Sequence, residues 1–220
     1  MSFDMPPIHP LIDLAINSFI TFFVIIDPVG LIGIFNGLAV GMSTKNKRRL
    51  AIRGTAVGTA VLLLFALGGE KLLSAIGISL PAFRAAGGIL LLLIAIEMIF
   101  QNRAQRRRDN ATSPPDEPHV DDIAIFPLAI PLVAGPGAIT SVLLLASRYK
   151  GAYVEQGIVL AAMLLVMAIT LVTFLAADRL GRAVGTTIAS VATRLLGILL
   201  AAVAVEYIVV GVRQIWDATS

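Results

Sequence analysis

Ile26-Asp27-Pro28-Val29-Gly30 and Ala134-Gly135-Pro136-Gly137-Ala138 are the two places where Pro and Gly break long apolar runs of this 220-residue chain, 136 − 28 = 108 positions apart. One breaks the first apolar run, the other the fourth. Irregular backbone at membrane depth is tolerated only where protein or a water-filled cavity satisfies its free N–H and C=O groups. Paired breaks in corresponding segments of two halves point to the binding site of a secondary transporter.

Composition identifies the solvent. Hydrophobic residues make up 57% of the chain and charged ones only 14%, with mean hydropathy +0.90, whereas a soluble domain has about a quarter of its residues charged. The chain reads as a membrane protein with lipids as its surroundings. Its net charge of +3 comes from Lys and Arg in short loops between apolar runs, where they set orientation in the bilayer; no nucleic-acid partner is expected. With no Cys there are no disulfides and no thiolate metal sites. No Lys or Arg precedes Leu11 and no small-residue cleavage site follows a short apolar core, so the first helix is expected to serve as the insertion signal.

Apolar stretches able to span about 30 Å of hydrocarbon lie at Leu11–Val40, Gly54–Gly68, Ala82–Phe100, Ile123–Ala146, Gly157–Ala177 and Val191–Val212. The second is short, and Leu72–Pro81 after it is expected to fold back along the membrane surface or to extend the bundle wall. The polar stretch Gln101–Asp122, with Arg103, Arg106, Arg107, Arg108 and the run Ser113-Pro114-Pro115, cannot build a core. It divides the chain into residues 1–100 and 123–220, each with three segments, joined by a linker at 101–122 expected on the cytoplasmic side.

The halves read as repeats. Arg84 and Arg194 are 110 positions apart, as are Gly87 and Gly197, and an acid follows in both halves, Glu97 and Glu206. Three crossings per half require the second copy to enter from the opposite side. The expected fold is therefore an all-α membrane protein of six transmembrane helices, a 3+3 inverted repeat with helices 1 and 4 broken at Asp27-Pro28 and Gly135-Pro136.

Four motifs, in order, carry a resemblance: Phe22-Phe23-Val24-Ile25-Ile26-Asp27-Pro28-Val29-Gly30; Gly77-Ile78-Ser79-Leu80-Pro81-Ala82-Phe83-Arg84-Ala85-Ala86-Gly87-Gly88; Phe126-Pro127-Leu128-Ala129-Ile130-Pro131-Leu132-Val133-Ala134-Gly135-Pro136-Gly137-Ala138-Ile139; and Thr193-Arg194-Leu195-Leu196-Gly197. With them the chain resembles the MarC family of bacterial integral membrane proteins. The resemblance implies a six-helix inner (plasma) membrane protein with both termini periplasmic, related to LysE-type amino-acid exporters. Some members are described as transporters of small neutral amino acids such as alanine and glycine. It implies no catalytic residues.

The breaks have their own chemistry. Asp27 is placed to cap a half-helix that begins at Pro28, where the missing N–H costs nothing; Gly30 follows in the first turn. In the second half Gly135 takes the cap position, Pro136 the first helical position, and Gly137 leaves the backbone bare. Each exposed N-terminus carries free N–H groups and about half a positive charge, so the pair can hold a carboxylate. Asn36, Thr140 and Ser141 lie one or two turns in and are candidates for binding an amine or hydroxyl. An intramembrane carboxylate usually lines a pathway or proton relay. Asp27, Glu97 and Glu206 are therefore the candidate proton-coupling residues, with pure capping the alternative for Asp27 and an interfacial position the alternative for Glu97. Arg84 and Arg194, near helix starts, are expected to snorkel to the headgroups.

Enzymatic chemistry finds no support in the sequence. There is no nucleotide-binding Gly-x-x-x-x-Gly-Lys-Ser/Thr loop, Asp121-Asp122 lacks a second acidic cluster for a metal, and His9 and His119 fall in the tail and the linker. No cofactor is expected. The expected function is ion-gradient-driven transport or export of small neutral amino acids. The alternatives are a non-transporting scaffold or partner subunit and a lipid or lipid-phosphate flippase, with a homo-oligomer left open. Charge counting does not decide whether the broken segments cross: Lys and Arg divide 12 to 5 either way. Length favours crossing, since Leu11–Val40 is about 45 Å of helix.

Overall fold

The structure is a computed structural model; it describes residues 10–100 and 120–219, and of residues 181–189 and 219 the backbone alone. The Arg cluster and proline run of the linker, together with His9 and His119, lie outside the described residues. Among the described residues every regular element is helical. Five helices are long and apolar enough to cross a membrane, and a bent pair supplies a sixth if it forms one span.

The first apolar run forms α1 (Pro10–Ile26) and α2 (Pro28–Leu38). Helix α1 stops because Asp27 turns left-handed, with φ 50° and ψ 65°, a conformation that Asp tolerates better than most L-residues. Ser43 caps α3 (Thr44–Ala75) by accepting from the Asn46 N–H at 3.3 Å. This helix is longer than the expected Gly54–Gly68 at both ends. Its polar first turns continue the helix through ion pairs with other elements, Lys47 with Asp178 and both Arg49 and Arg53 with Asp121. Its last turns pass through Gly69, where a Cβ would lie 2.5 Å from Leu143 Cδ1, and through Glu70, paired with Lys150 at 2.8 Å.

Leu72–Pro81, expected to fold back along the membrane surface or to extend the bundle wall, is the end of α3 and the start of the helix that follows. Gly77, at φ 75°, closes α3 while the Ile78 N–H donates to the Leu73 carbonyl, a Schellman ending that uses the freedom of glycine. Ser79 then caps α4 (Leu80–Ile99).

The second half begins with α5 (Val120–Ile123), which runs into α6 (Ala124–Val133). The fourth run is broken more than once. Phe126 and Ile130 are extended, near φ −130° and ψ 124°, because each precedes a proline whose ring excludes the helical region for its neighbour. After Gly135 come α7 (Pro136–Arg148), α8 (Tyr153–Leu175) and the 43-residue α9 (Ala177–Thr219). The expected sixth segment, Val191–Val212, is the membrane part of α9.

Small residues set the packing and reveal its directions. On α4, Gly88 lies against Ala204 and Ile208 of α9; Gly197 of α9 lies against Ala95 and Met98, and Gly211 against Pro81 and Ala85. Positions rise on one helix as they fall on the other, so α4 and α9 are antiparallel, and Arg84 at one end donates to Gln214 at 2.9 Å. Along α3 the order is the opposite. Arg49 meets Asp121, Gly54 meets Ala124 and Leu128, Gly58 meets Val133, Gly69 meets Leu143, and Glu70 meets Lys150. The chain from α5 to α7 therefore runs parallel to α3 from Arg49 to Glu70, a rise of about 32 Å at 1.5 Å per residue.

Candidate functional site

Both breaks are helix starts, and they are finished differently. At the first, Asp27 is 4% exposed and its Oδ1 accepts from the Gly30 N–H at 3.0 Å. A Cβ on Gly30 would overlap Asp27 Oδ2, so glycine is required there for the carboxylate to lie over the first turn of α2. The carboxyl group sits at the positive end of the helix dipole. At the second, Gly135 is extended, with φ −77° and ψ 169°, and α7 receives no side-chain cap. Pro136 has no N–H to satisfy, while Gly137 and Ala138 carry the first N–H groups of the helix.

The two breaks are neighbours. A Cβ on Gly137 would lie 3.5 Å from Ile25 Cγ2, two residues before Asp27, and 2.6 Å from Leu91 Cδ2. Beside this junction is a cavity of about 200 Å³ between α4 and α6–α7. One wall is Gly135, Pro136, Gly137 and Ala138, the opposite wall is Leu90, Leu93 and Ile94 of α4, and among the described residues Glu97 is its one charged lining residue. A larger depression of about 350 Å³, lined by Glu70, Lys71, Ser74, Ala75 and Lys150, lies at the polar ends of α3 and α7, away from both breaks. The smaller cavity is the better candidate because it joins the break to an acidic residue within the apolar span.

The remaining candidate residues have other surroundings. Asn36 lies in the last turn of α2, where its Nδ2 donates to the Ala177 carbonyl at 3.2 Å and the adjacent Phe35 stacks on Phe174 at 4.6 Å; it ties α2 to the junction of α8 and α9. Thr140 fills the space above Gly87 of α4. Ser141 is fully buried beside Tyr207 of α9. Glu206 is exposed on α9. The cavity thus gathers Gly135, Pro136, Gly137 and Glu97 and leaves the others outside. Ile25, Leu90, Leu93, Ile94, Pro131, Leu132 and Val133 are its other lining residues; nothing in the sequence pattern of the leucines and isoleucines distinguishes a cavity wall from a lipid-facing one.

Among the described residues no group of His, Cys, Asp and Glu is arranged to hold a metal ion. Comparison with known proteins gives a consistent result. A family model described as MarC family integral membrane protein matches residues 12–216. A UPF0056 membrane protein of Methanocaldococcus jannaschii is 37% identical over 199 residues, covering 90% of this chain and 95% of the relative. Relatives of the same description from Buchnera aphidicola and Aquifex aeolicus are each 31% identical, over 92% of this chain and 93% and 94% of their own lengths. No solved structure matches the chain.

Proposed function

Because the chain belongs to the MarC family of integral membrane proteins, and because a cavity opens beside an uncapped helix start within its span, we propose that it transports small neutral amino acids outward, driven by an ion gradient. The cavity carries the reading. Its 200 Å³ corresponds to roughly seven water-sized shares of about 30 Å³, below the range of drug-sized ligand pockets. At α2 the carboxylate of Asp27 occupies the helix start; at α7 that place is open to a carboxylate brought by the substrate. No nucleotide-binding loop is present in the sequence, so the energy comes from a gradient.

An inverted repeat of six crossings supports alternating access. Three features favour it. The chain from α5 to α7 accompanies α3 over a distance equal to the hydrocarbon thickness of about 30 Å, as a broken span does and a re-entrant loop does not. The third helices of the two halves, α4 and α9, are antiparallel. The packing also exchanges between halves: α1 and α2 lie on α8 as α6 and α7 lie on α3, and α2 meets α9 as α7 meets α4. In this arrangement both termini are periplasmic, and the basic start of α3 (Lys45, Lys47, Arg48, Arg49, Arg53) is cytoplasmic, as the positive-inside rule prefers.

Purified protein in proteoliposomes is expected to move labelled alanine in a gradient-dependent way. No flux of any amino acid in a broad panel, in either direction, with and without a proton gradient, would reject the proposal in favour of a scaffold.

A further inference from the structure

The larger depression, at the ends of α3 and α7, has a charge balance and a depth that transport through the smaller cavity does not use. It holds about 350 Å³ and is lined by Glu70, Lys71, Ser74 and Ala75 of α3 and by Lys150 in the turn after α7. Lys150 pairs with Glu70 at 2.8 Å, and its ammonium group has three N–H donors, so donors remain for a further acceptor. Lys71 has no ion-pair partner among the described residues. Two lysines against one carboxylate leave a net charge of 2 − 1 = +1 among the described lining residues, and Ser74, one turn beyond Lys71, adds a hydroxyl donor. Depth decides what the matching anion is attached to. From Arg49 to Glu70 α3 rises about 32 Å, against about 30 Å of hydrocarbon in a bilayer. The basic start of α3 and the depression therefore lie at opposite headgroup layers. One and two turns back from Lys71, toward the middle of α3, Leu67 and Leu64 stand on the same helix face and are 67% and 69% exposed. Beside them Gly68 leaves a notch, since a Cβ there would meet nothing within 4 Å.

We propose that this depression binds one anionic phospholipid, its phosphate on Lys71, Lys150 and Ser74 and one acyl chain along Leu67, Gly68 and Leu64. A cationic pocket at phosphate level that opens onto an apolar helix face has the polarity of a phospholipid, and a free anion would leave that face unused. The net charge of +1 is matched by a headgroup of net charge −1, such as phosphatidylglycerol. Phosphatidylethanolamine brings the same phosphate together with an ammonium group, which the two lysines repel. An interfacial lysine favours anionic lipid by about fivefold. Binding there does not depend on what the protein transports.

The test is native mass spectrometry of the detergent-purified full chain, titrated with phosphatidylglycerol and phosphatidylethanolamine of identical acyl chains, with inorganic phosphate as a separate competitor. One retained phosphatidylglycerol is expected, preferred over phosphatidylethanolamine by at least about fivefold and not displaced by inorganic phosphate. Lys71→Gln, which breaks no ion pair, is expected to weaken it about fivefold, and Lys71→Arg, which keeps the charge, to retain it. Lys45→Gln removes an exposed lysine at the other end of α3 and is expected to change nothing. Gly68→Leu fills the notch and is expected to weaken lipid binding without loss of thermal stability, because leucine is the better helix former. Equal binding of the two lipids, or equal losses in Lys45→Gln and Lys71→Gln, would show only a general attraction of basic helix ends for lipid and overturns the site. Displacement by inorganic phosphate reassigns the depression to a free anion and overturns the lipid. Full phosphatidylglycerol binding in Lys71→Gln overturns the role of Lys71, and full binding in Gly68→Leu overturns the placement of the acyl chain.

Discussion

Replacing Gly88 with alanine tests the close packing of α4 on α9. The new Cβ would lie 2.8 Å from both the Ala204 carbonyl oxygen and Ile208 Cγ1, and 2.9 Å from the Ile208 backbone nitrogen. Ordinary contact begins near 3.4 Å, so the helices must part by 3.4 − 2.8 = 0.6 Å. Two of the three opposing atoms belong to the α9 backbone and cannot swing aside as a side-chain tip does. Overpacking of a close contact costs about 1–3 kcal/mol, and alanine recovers about 0.5–1 kcal/mol of helix propensity over glycine. The net expectation is a loss of about 1–2 kcal/mol. Gly68→Ala is the control, since a Cβ there meets nothing within 4 Å; it should gain about 0.5–1 kcal/mol. The assay is reversible unfolding of both variants in mixed micelles, followed by circular dichroism and tryptophan fluorescence from Trp216. Gly88→Ala as stable as Gly68→Ala would mean that α4 and α9 do not pack through Gly88, and the antiparallel pairing would lose one of its glycine contacts.

Asp27→Ala removes a cap and leaves a left-handed backbone under a residue that disfavours it, so unfolding measurements should show a loss of about 1–3 kcal/mol, whereas Asp27→Asn, which caps and tolerates that conformation, should stay within about 1 kcal/mol of the parent. If Asp27 also couples protons, the Asn variant transports without gradient dependence; normal coupling leaves Asp27 a cap alone. Alkaline phosphatase fused after Ser220 should be active and green fluorescent protein fused there dark, since six crossings return the C-terminus to the periplasmic side. The reverse pattern would make α5–α7 a re-entrant loop and remove the inverted repeat.

Much of the fold is visible in one dimension because lipid imposes one-dimensional rules. A span needs about 20 apolar residues, so runs such as Tyr153–Leu175 cannot be mistaken for loops. Asp27-Pro28 spells a helix start by local chemistry, and the structure places Asp27 there as the N-cap. The kinks at Phe126 and Ile130 were also legible, since each precedes a proline, although the nearby glycines attract more notice. The sequence could not specify where α3 ends. Its polar termini resemble loops until Asp121, Asp178 and Lys150, distant along the chain, arrive to pair with them.

Local sequence therefore determined the membrane solvent, the helical class and the two helix starts, because each follows from residues within a turn or two of one another. Tertiary structure alone decided which glycines touch which helices, that Asn36, Thr140 and Ser141 face packing partners outside the cavity, and that Gly135–Ala138 and Glu97 share it. The reason is physical. A leucine that lines a cavity and a leucine that faces lipid have the same hydropathy, and only the positions of the neighbouring helices distinguish them.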